Sequence, residues 1–345
     1  MPKIFIAICF LLFSFQVSLK AEGHMKYVLV VGGAGYIGSQ VNKKLNQSGF
    51  QTIVIDNLSR GNENVIMDGK LIVGNLFDAA LLDEIFNTYH IEAVMHFAAF
   101  KDVGESVREP LKYYQNNVAA TLGLLETMLR HNVKVFVFSS SAAIFGTQQC
   151  NFVTEDHPYH PLNPYGRTKL MVETLLKDFD YAYGLKYCSL RYFNAAGGDP
   201  EGIIPLDPSK ESNLIPVILR SLKEPQGFIK IFGIDHPTPD GTCVRDYIHI
   251  EDLARAHVSG IEKLINGGKS ECYNLGTGKG YSVLEVIRAV EKVTCKKVNA
   301  IHADRREGDP AILVASYEKA KKELGWEPVY SLEEMIQHAW NAMRN

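Results

Sequence analysis

The 345-residue chain is predicted to be an α/β protein, a doubly wound parallel sheet with a smaller C-terminal α/β substrate-binding region. Three observations predict it. From Met25 onward, short apolar β-rich runs alternate with amphipathic stretches, the pattern of parallel strands joined by helices. A glycine-rich turn at 32–38 separates the first such run from the first amphipathic stretch, and after Asn194 the chain changes to Gly/Pro/Asp-rich loops.

The candidate strands, in order, are 27–31, 52–55, 71–73, 93–97, 133–138 and 187–191. Each is a short apolar run of the kind buried on both faces of a parallel sheet. Helices are expected between them at 37–48, 79–89, 113–131 and 165–183, where apolar positions recur at helical spacing and the connections are short. Residues 25–194 are therefore read as a nucleotide-binding unit. Beyond it, the loops at 195–207 and 234–242 suit ligand contact. Helical stretches at 283–293, 317–324 and 332–343 complete a unit at 195–345.

Composition narrows the function. Hydrophobic residues make up 46% and charged residues 22%, and the net charge is -3, so disorder and nucleic-acid binding are both unsupported. A small-molecule partner fits better. The cysteines Cys9, Cys150, Cys188, Cys243, Cys272 and Cys295 are scattered without paired spacing, so neither a metal site nor a disulfide framework is expected.

The first 24 residues read as a leader. Lys3 precedes an apolar run at 4–19 that has the form of an export signal, but Leu19-Lys20-Ala21 is a poor cleavage site. Met25 stands directly before the first strand and offers an alternative start, which would make the protein cytoplasmic; the other reading is export through residues 1–24. The run is short for a membrane anchor, which needs ~20 apolar residues.

Tyr165-Gly166-Arg167-Thr168-Lys169 carries the chemistry. A free phenol is a weak base at neutral pH because it titrates near ~10, unless neighbouring positive charge stabilises its anion. Four residues apart on a helix, Tyr165 and Lys169 share a face, so Lys169 is expected to lower the Tyr165 pKa. Ser141, in Phe138-Ser139-Ser140-Ser141, is the third candidate. In Gly32-Gly33-Ala34-Gly35-Tyr36-Ile37-Gly38, the glycines Gly32, Gly35 and Gly38 would let backbone approach a pyrophosphate at the start of a helix. Asp56, closing the second strand, would accept both adenosine ribose hydroxyls and repel a 2′-phosphate, so NAD is favoured over NADP, with Arg60 nearby as the one opposing charge.

Those stretches, with His96-Phe97-Ala98-Ala99-Phe100-Lys101, Val103-Gly104-Glu105-Ser106-Val107, Leu190-Arg191-Tyr192-Phe193-Asn194, Val244-Arg245-Asp246-Tyr247-Ile248-His249 and Arg305-Arg306-Glu307-Gly308-Asp309, resemble the extended short-chain dehydrogenase/reductase family, and within it the nucleotide-sugar 4-epimerases. The resemblance runs from Met25 to about Ala342. It implies a Rossmann-like fold, a homodimer, and reversible C4 epimerisation of UDP-galactose and UDP-glucose through a transient 4-keto-sugar and tightly bound NAD. On this analogy Tyr165 is the base, Ser141 the proton bridge and Lys169 the charge that holds both phenolate and nicotinamide ribose.

The same resemblance implies cofactor contacts at Tyr36, Ile37, Asp56, Asn57, Asn75, Leu76, Phe97, Ala98, Lys101, Asn116 and Phe193. It places substrate contacts on Asn194, Asn213, Leu214, Arg245, Arg306 and Asp309, and the gate for a 2-acetamido group on Leu313. Two departures stand out. Gly74-Asn75-Leu76 has an amide where the family usually has aspartate, and Ala142-Ala143-Ile144-Phe145 lacks the two hydroxyls of the common Ala-Thr-Val-Tyr. A bulky leucine at the gate favours UDP-glucose and UDP-galactose over N-acetylated sugars. The competing readings are a dehydratase, a uronate or UDP-GlcNAc epimerase, and a non-catalytic NAD-binding regulator. Elimination needs carboxylates where Ala142 and Ala143 stand, and a silent regulator has little use for Ser141, Tyr165 and Lys169 together.

Overall fold

The computed structural model describes residues 26–147, 152–306 and 310–343. The leader at 1–24 and the substrate-contact candidate Asp309 lie outside the described residues. The strands are β1 (Tyr27–Val31), β2 (Gln51–Asp56), β3 (Lys70–Val73), β4 (Ile91–His96), β5 (Val135–Ser141), β6 (Lys186–Tyr192), β7 (Asn194–Ala196), β8 (Ile229–Phe232), β9 (Val244–His249), β10 (Glu271–Leu275), β11 (Gly280–Ser282), β12 (Ala300–Ala303) and β13 (Ile312–Leu313).

Seven strands make one sheet in the order β10-β6-β5-β4-β1-β2-β3, every neighbouring pair parallel. Alternation along each strand sends side chains to opposite faces. Val28, Val30, Val54, Met95, Val137 and Leu190 pack on one face, with Val41 and Leu45 of the helix Tyr36–Gln47 and Leu253 and Ile261 of the helix Ile250–Ile265. Leu29, Val31, Ile53, Ile55, Val94, Phe136 and Phe138 face the other way, onto the helices Ala79–Thr88, Ala120–Arg130 and Pro164–Tyr183. Both faces are covered, as a parallel sheet requires.

Residues after Asn194 are not confined to a separate layer, because β10 and the helix Ile250–Ile265 return to the large sheet. The remainder builds a smaller core of Ile215, Ile218, Leu219, Val286, Val290, Ile336 and Trp340. There β9 pairs antiparallel with β11 and parallel with β7 and β13. The expected helix at 113–131 is interrupted: Pro110–Tyr114 and Ala120–Arg130 are joined by a wider π-turn, Gln115–Ala119. Among the described residues no helix is long and apolar enough to cross a membrane.

Candidate active site

Strand order reverses between β1 and β4, so the chains leaving these strands diverge and open a crevice at their C-terminal ends. The glycine turn lies there. Gly32 has φ +76, and a Cβ on it would come within 2.6 Å of the Ala98 nitrogen, so the turn after β1 and the segment after β4 close on each other only without a side chain. A Cβ on Gly38 would lie 2.3 Å from the Gly32 carbonyl oxygen, which fixes the helix against the turn. Gly35 caps that helix with no side-chain hydrogen bond, leaving the first-turn N–H groups of Tyr36 and Ile37 without a capping side chain. A cavity of about 140 Å³ adjoins it, lined by Gly35, Tyr36, Arg60, Lys210 and Glu211 among others. Bare backbone, free helix N–H groups and adjoining space fit a dinucleotide pyrophosphate.

Asp56 ends β2 beside this turn. Its carboxylate accepts from the Ala34 nitrogen at 3.0 Å and the Leu58 nitrogen at 2.8 Å, so it shapes the turn. Asn57 and Asn75 each bond backbone two residues on, to Ser59 and Phe77, and hold open turns at the ends of β2 and β3. Leu76 packs partly into the core below. Phe97 and Ala98 both donate their backbone N–H to the Val31 carbonyl, at 2.8 and 3.2 Å, which ties the end of β4 across the end of β1.

Tyr165 is the second residue of its helix. Asn163 precedes it as the cap, accepting from the Gly166 nitrogen at 2.9 Å, and Pro164 supplies the first position. The Tyr165 hydroxyl hydrogen-bonds Ser141, at the end of β5. Lys169 is buried one turn further on, and its Nζ donates to the Ser139 carbonyl at 2.7 Å while lying 5.9 Å from the centre of the Tyr165 ring. The three candidates therefore meet at one point.

Burial dominates the electrostatics of this set. Burial raises the Tyr165 phenol above its ordinary value and only the Ser141 hydrogen bond opposes it; burial also lowers Lys169 to about 7, against the field of Glu173. Lys169 Nζ donates to the Ser139 carbonyl, and the Ser141 hydroxyl is the partner that opposes burial at the Tyr165 phenol.

Asn116 sits on the π-turn and donates to Asn117 Oδ1 at 2.9 Å. Asn117, which the sequence reading missed, is the clamp: it accepts from the Phe100 nitrogen and donates to the Phe100 carbonyl and to Thr168. Two further supports were missed. Glu173 lies one turn beyond Lys169 and forms a buried pair with Arg191, and an arginine inside a buried strand was the available signal. Lys101 pairs with Glu211 at 2.6 Å, a contact between residues 110 apart in sequence.

Of the substrate candidates, Asn194 opens β7, and Asn213 caps the helix Leu214–Ser221 while donating to the Ala195 carbonyl at 2.9 Å. Phe193 packs with Leu313, Ala142 and Phe145, directly after the Ser141 corner. Leu313 pairs in register with Arg245, so these two substrate candidates sit side by side. Arg245 is mostly buried, and one guanidinium nitrogen donates to the Val244 carbonyl. Arg306 lies over the Phe232 ring at 3.9 Å, an exposed position on the rim. Buried Asp246 anchors this corner, accepting from the Thr277, Gly278 and Ala315 nitrogens and the Thr277 hydroxyl.

A glycine turn at the switch point, an acidic residue at the ribose end and a Ser/Tyr/Lys set beside the crevice define a nicotinamide-dependent enzyme of the short-chain dehydrogenase/reductase class. The chain belongs to the NAD dependent epimerase/dehydratase family, whose model matches residues 28–276. It is 50% identical over 315 residues to a UDP-glucose 4-epimerase of Halalkalibacterium halodurans, covering 91% of this chain and 94% of that one. Among solved structures, UDP-glucose 4-epimerase from Brucella ovis in complex with NAD is similar with a TM-score of 0.89 and 42% identity, covering 92% of this chain and 98% of that one. The enzyme from Bifidobacterium longum in complex with NAD+ and UDP has a TM-score of 0.87 and 39% identity, with coverage of 92% and 98%.

Proposed function

We propose that this protein is an NAD-dependent UDP-glucose 4-epimerase that interconverts UDP-galactose and UDP-glucose. The observation that carries the reading is the meeting of Tyr165, Ser141 and Lys169 beside a dinucleotide crevice, with Asn194, Asn213 and Arg245 on the segments from β7 to β9. The close relatives are named for the same activity.

Tyr165 takes the proton of the sugar 4-hydroxyl, through or alongside Ser141, as the C4 hydrogen leaves with its electron pair. NAD held at the glycine turn and Asp56 would supply the hydride acceptor and donor. The resulting 4-keto-sugar turns, and Tyr165 gives the proton back after hydride returns to the opposite face, so protons and electrons balance over the cycle. Ser141 donates to the ketone oxygen meanwhile. Arg245 and Arg306 hold the diphosphate, for which guanidinium forks are suited, and Asn194, Asn213 and Leu214 hold the uridine end. Asp309 completes this set by resemblance. Ala142 and Ala143 offer no acid or base for elimination, which disfavours the dehydratase reading.

The protein works as a homodimer on this reading. Exposed apolar side chains on neighbouring helices support it: Met171 beside Leu170, Leu175 and Val118, with Leu122 and Leu111 close in sequence to Val118.

Purified protein incubated with UDP-galactose is expected to yield UDP-glucose, with its NAD content unchanged over many turnovers. Tyr165→Phe should retain NAD and lose turnover by roughly 10²–10⁴-fold, the usual worth of a positioned acid/base group. A folded, NAD-loaded protein giving no epimer would overturn the proposal.

A further inference from the structure

The segment 207–213 spans the crevice. Lys210 Nζ donates to the Gly61 carbonyl at 2.7 Å, on the loop after β2. The next residue, Glu211, accepts from Lys101 Nζ at 2.6 Å, on the segment after β4. Two residues later Asn213 is fixed to the Ala195 carbonyl at 2.9 Å and starts the helix whose first residue is Leu214. Consecutive residues of one short strap thus hold both loops that frame the nucleotide and the residues assigned to the uridine end. Lys101 also lies 5.7 Å from the centre of the Tyr36 ring, and Tyr36 donates to the Gly197 carbonyl at 2.6 Å, so the strap's contact reaches the first helical turn of the glycine motif.

Resting on the epimerase reading, we propose that Glu211 is a positioning residue that couples occupancy of the uridine end to retention of NAD. It does so by holding Lys101 to the strap that carries Asn213. The cavity of about 140 Å³ is lined by Gly35 and Tyr36 of the turn together with Asp207, Lys210 and Glu211 of the strap, so the strap borders the space beside the glycine turn. A ligand engaging Asn213 and Leu214 fixes one end of the strap, and the Glu211–Lys101 pair passes that restraint to the cofactor side. Linkage makes the coupling reciprocal: whatever factor UDP contributes to NAD affinity, NAD contributes to UDP affinity. An epimerase needs this coupling, since its cofactor must stay while the sugar turns. The Lys101 side chain is 39% exposed and that of Glu211 10%, so Lys101 can turn to water when the pair is broken, and Glu211→Gln keeps an oxygen acceptor of the same shape in the more buried position.

The test is the rate at which bound NAD exchanges for isotopically labelled NAD, measured by mass spectrometry on the full-length protein with and without saturating UDP. In the parent protein UDP is expected to slow exchange by about fivefold or more, the lower end of measured coupling factors. In Glu211→Gln, with an unchanged thermal midpoint, that ratio should fall close to one while exchange without UDP stays near the parent rate. A variant that speeds exchange equally with and without UDP would show mere loosening and overturn the proposal. So would a parent protein whose exchange ignores UDP. A parent protein that binds neither NAD nor UDP would overturn the epimerase reading itself, and this inference with it.

Discussion

Arg191 and Glu173 form a fully buried ion pair behind the active-site helix, with Arg191 Nη2 2.7 Å from Glu173 Oε2 and each side chain 1% exposed. Arg191 Nε donates to Glu173 Oε1 at 3.0 Å, and the Ser140 hydroxyl donates to the same oxygen at 2.6 Å. The remaining guanidinium face lies over Phe145 and Tyr159. The pair thus locks the end of β5, where Ser141 sits, to the helix that carries Tyr165 and Lys169.

Glu173→Ala is therefore expected to destabilise the fold by about 3–5 kcal/mol, because it leaves a buried guanidinium without its counter-charge. Urea unfolding would measure this as a lower midpoint at an unchanged slope. A shift of less than about 1 kcal/mol would mean that water or rearrangement satisfies Arg191, and the lock would not be what holds the helix.

Lys169 predicts a pH effect on stability. Its folded value is lowered to about 7 from an ordinary 10.5, chiefly by burial, so between these values the unfolded chain carries the proton and the folded chain does not. Stability owed to this group rises with pH across that window and is lowest below it. Comparing urea unfolding of the parent and Lys169→Met from pH 7 to 9.5 should show the parent gaining on the variant as pH rises. A difference that stays flat across this range would mean that Glu173 holds Lys169 charged.

Much of this was legible in sequence because it is local. Apolar runs predict the strands, the 32–38 turn predicts the crevice, and the i, i+4 spacing of Tyr165 and Lys169 puts them on one face. What escaped depends on distant partners. The π-turn at Gln115–Ala119 breaks a stretch whose periodicity reads as one helix, at the point where Asn117 reaches across to Phe100 and Thr168. The strand Glu271–Leu275 mixes charge and polarity and is specified by pairing with β6 rather than by a strong apolar pattern. The Lys169 Nζ contact to the Ser139 carbonyl depends on where the side chain points, which spacing cannot supply.

Leu313 should set the tolerance for an N-acetylated sugar. It is 9% exposed, packed against Phe193, Ala142 and Phe145, and next to Arg245 in register. Leu313→Ala is expected to raise the kcat/KM ratio for UDP-GlcNAc over UDP-galactose by roughly tenfold or more, the discrimination that a methylene or two provides. Its stability cost should be about 2–5 kcal/mol, so the ratio, which cancels any loss of folded protein, is the quantity to measure. An unchanged ratio would show that another side chain limits the space.

Met171 tests the dimer. It is 44% exposed on the helix Pro164–Tyr183 and borders an apolar groove formed with Val118, Leu170 and Leu175. Arg167 and Thr174 are the groove's polar lining residues, as at the rim of an interface. In a two-fold dimer the same patch meets itself, so one substitution places two charges in the contact. Met171→Glu should therefore shift the sedimentation coefficient from dimer to monomer at micromolar concentration while far-ultraviolet circular dichroism stays unchanged, since the site is exposed within the protomer. A variant that remains dimeric would move the interface off this helix.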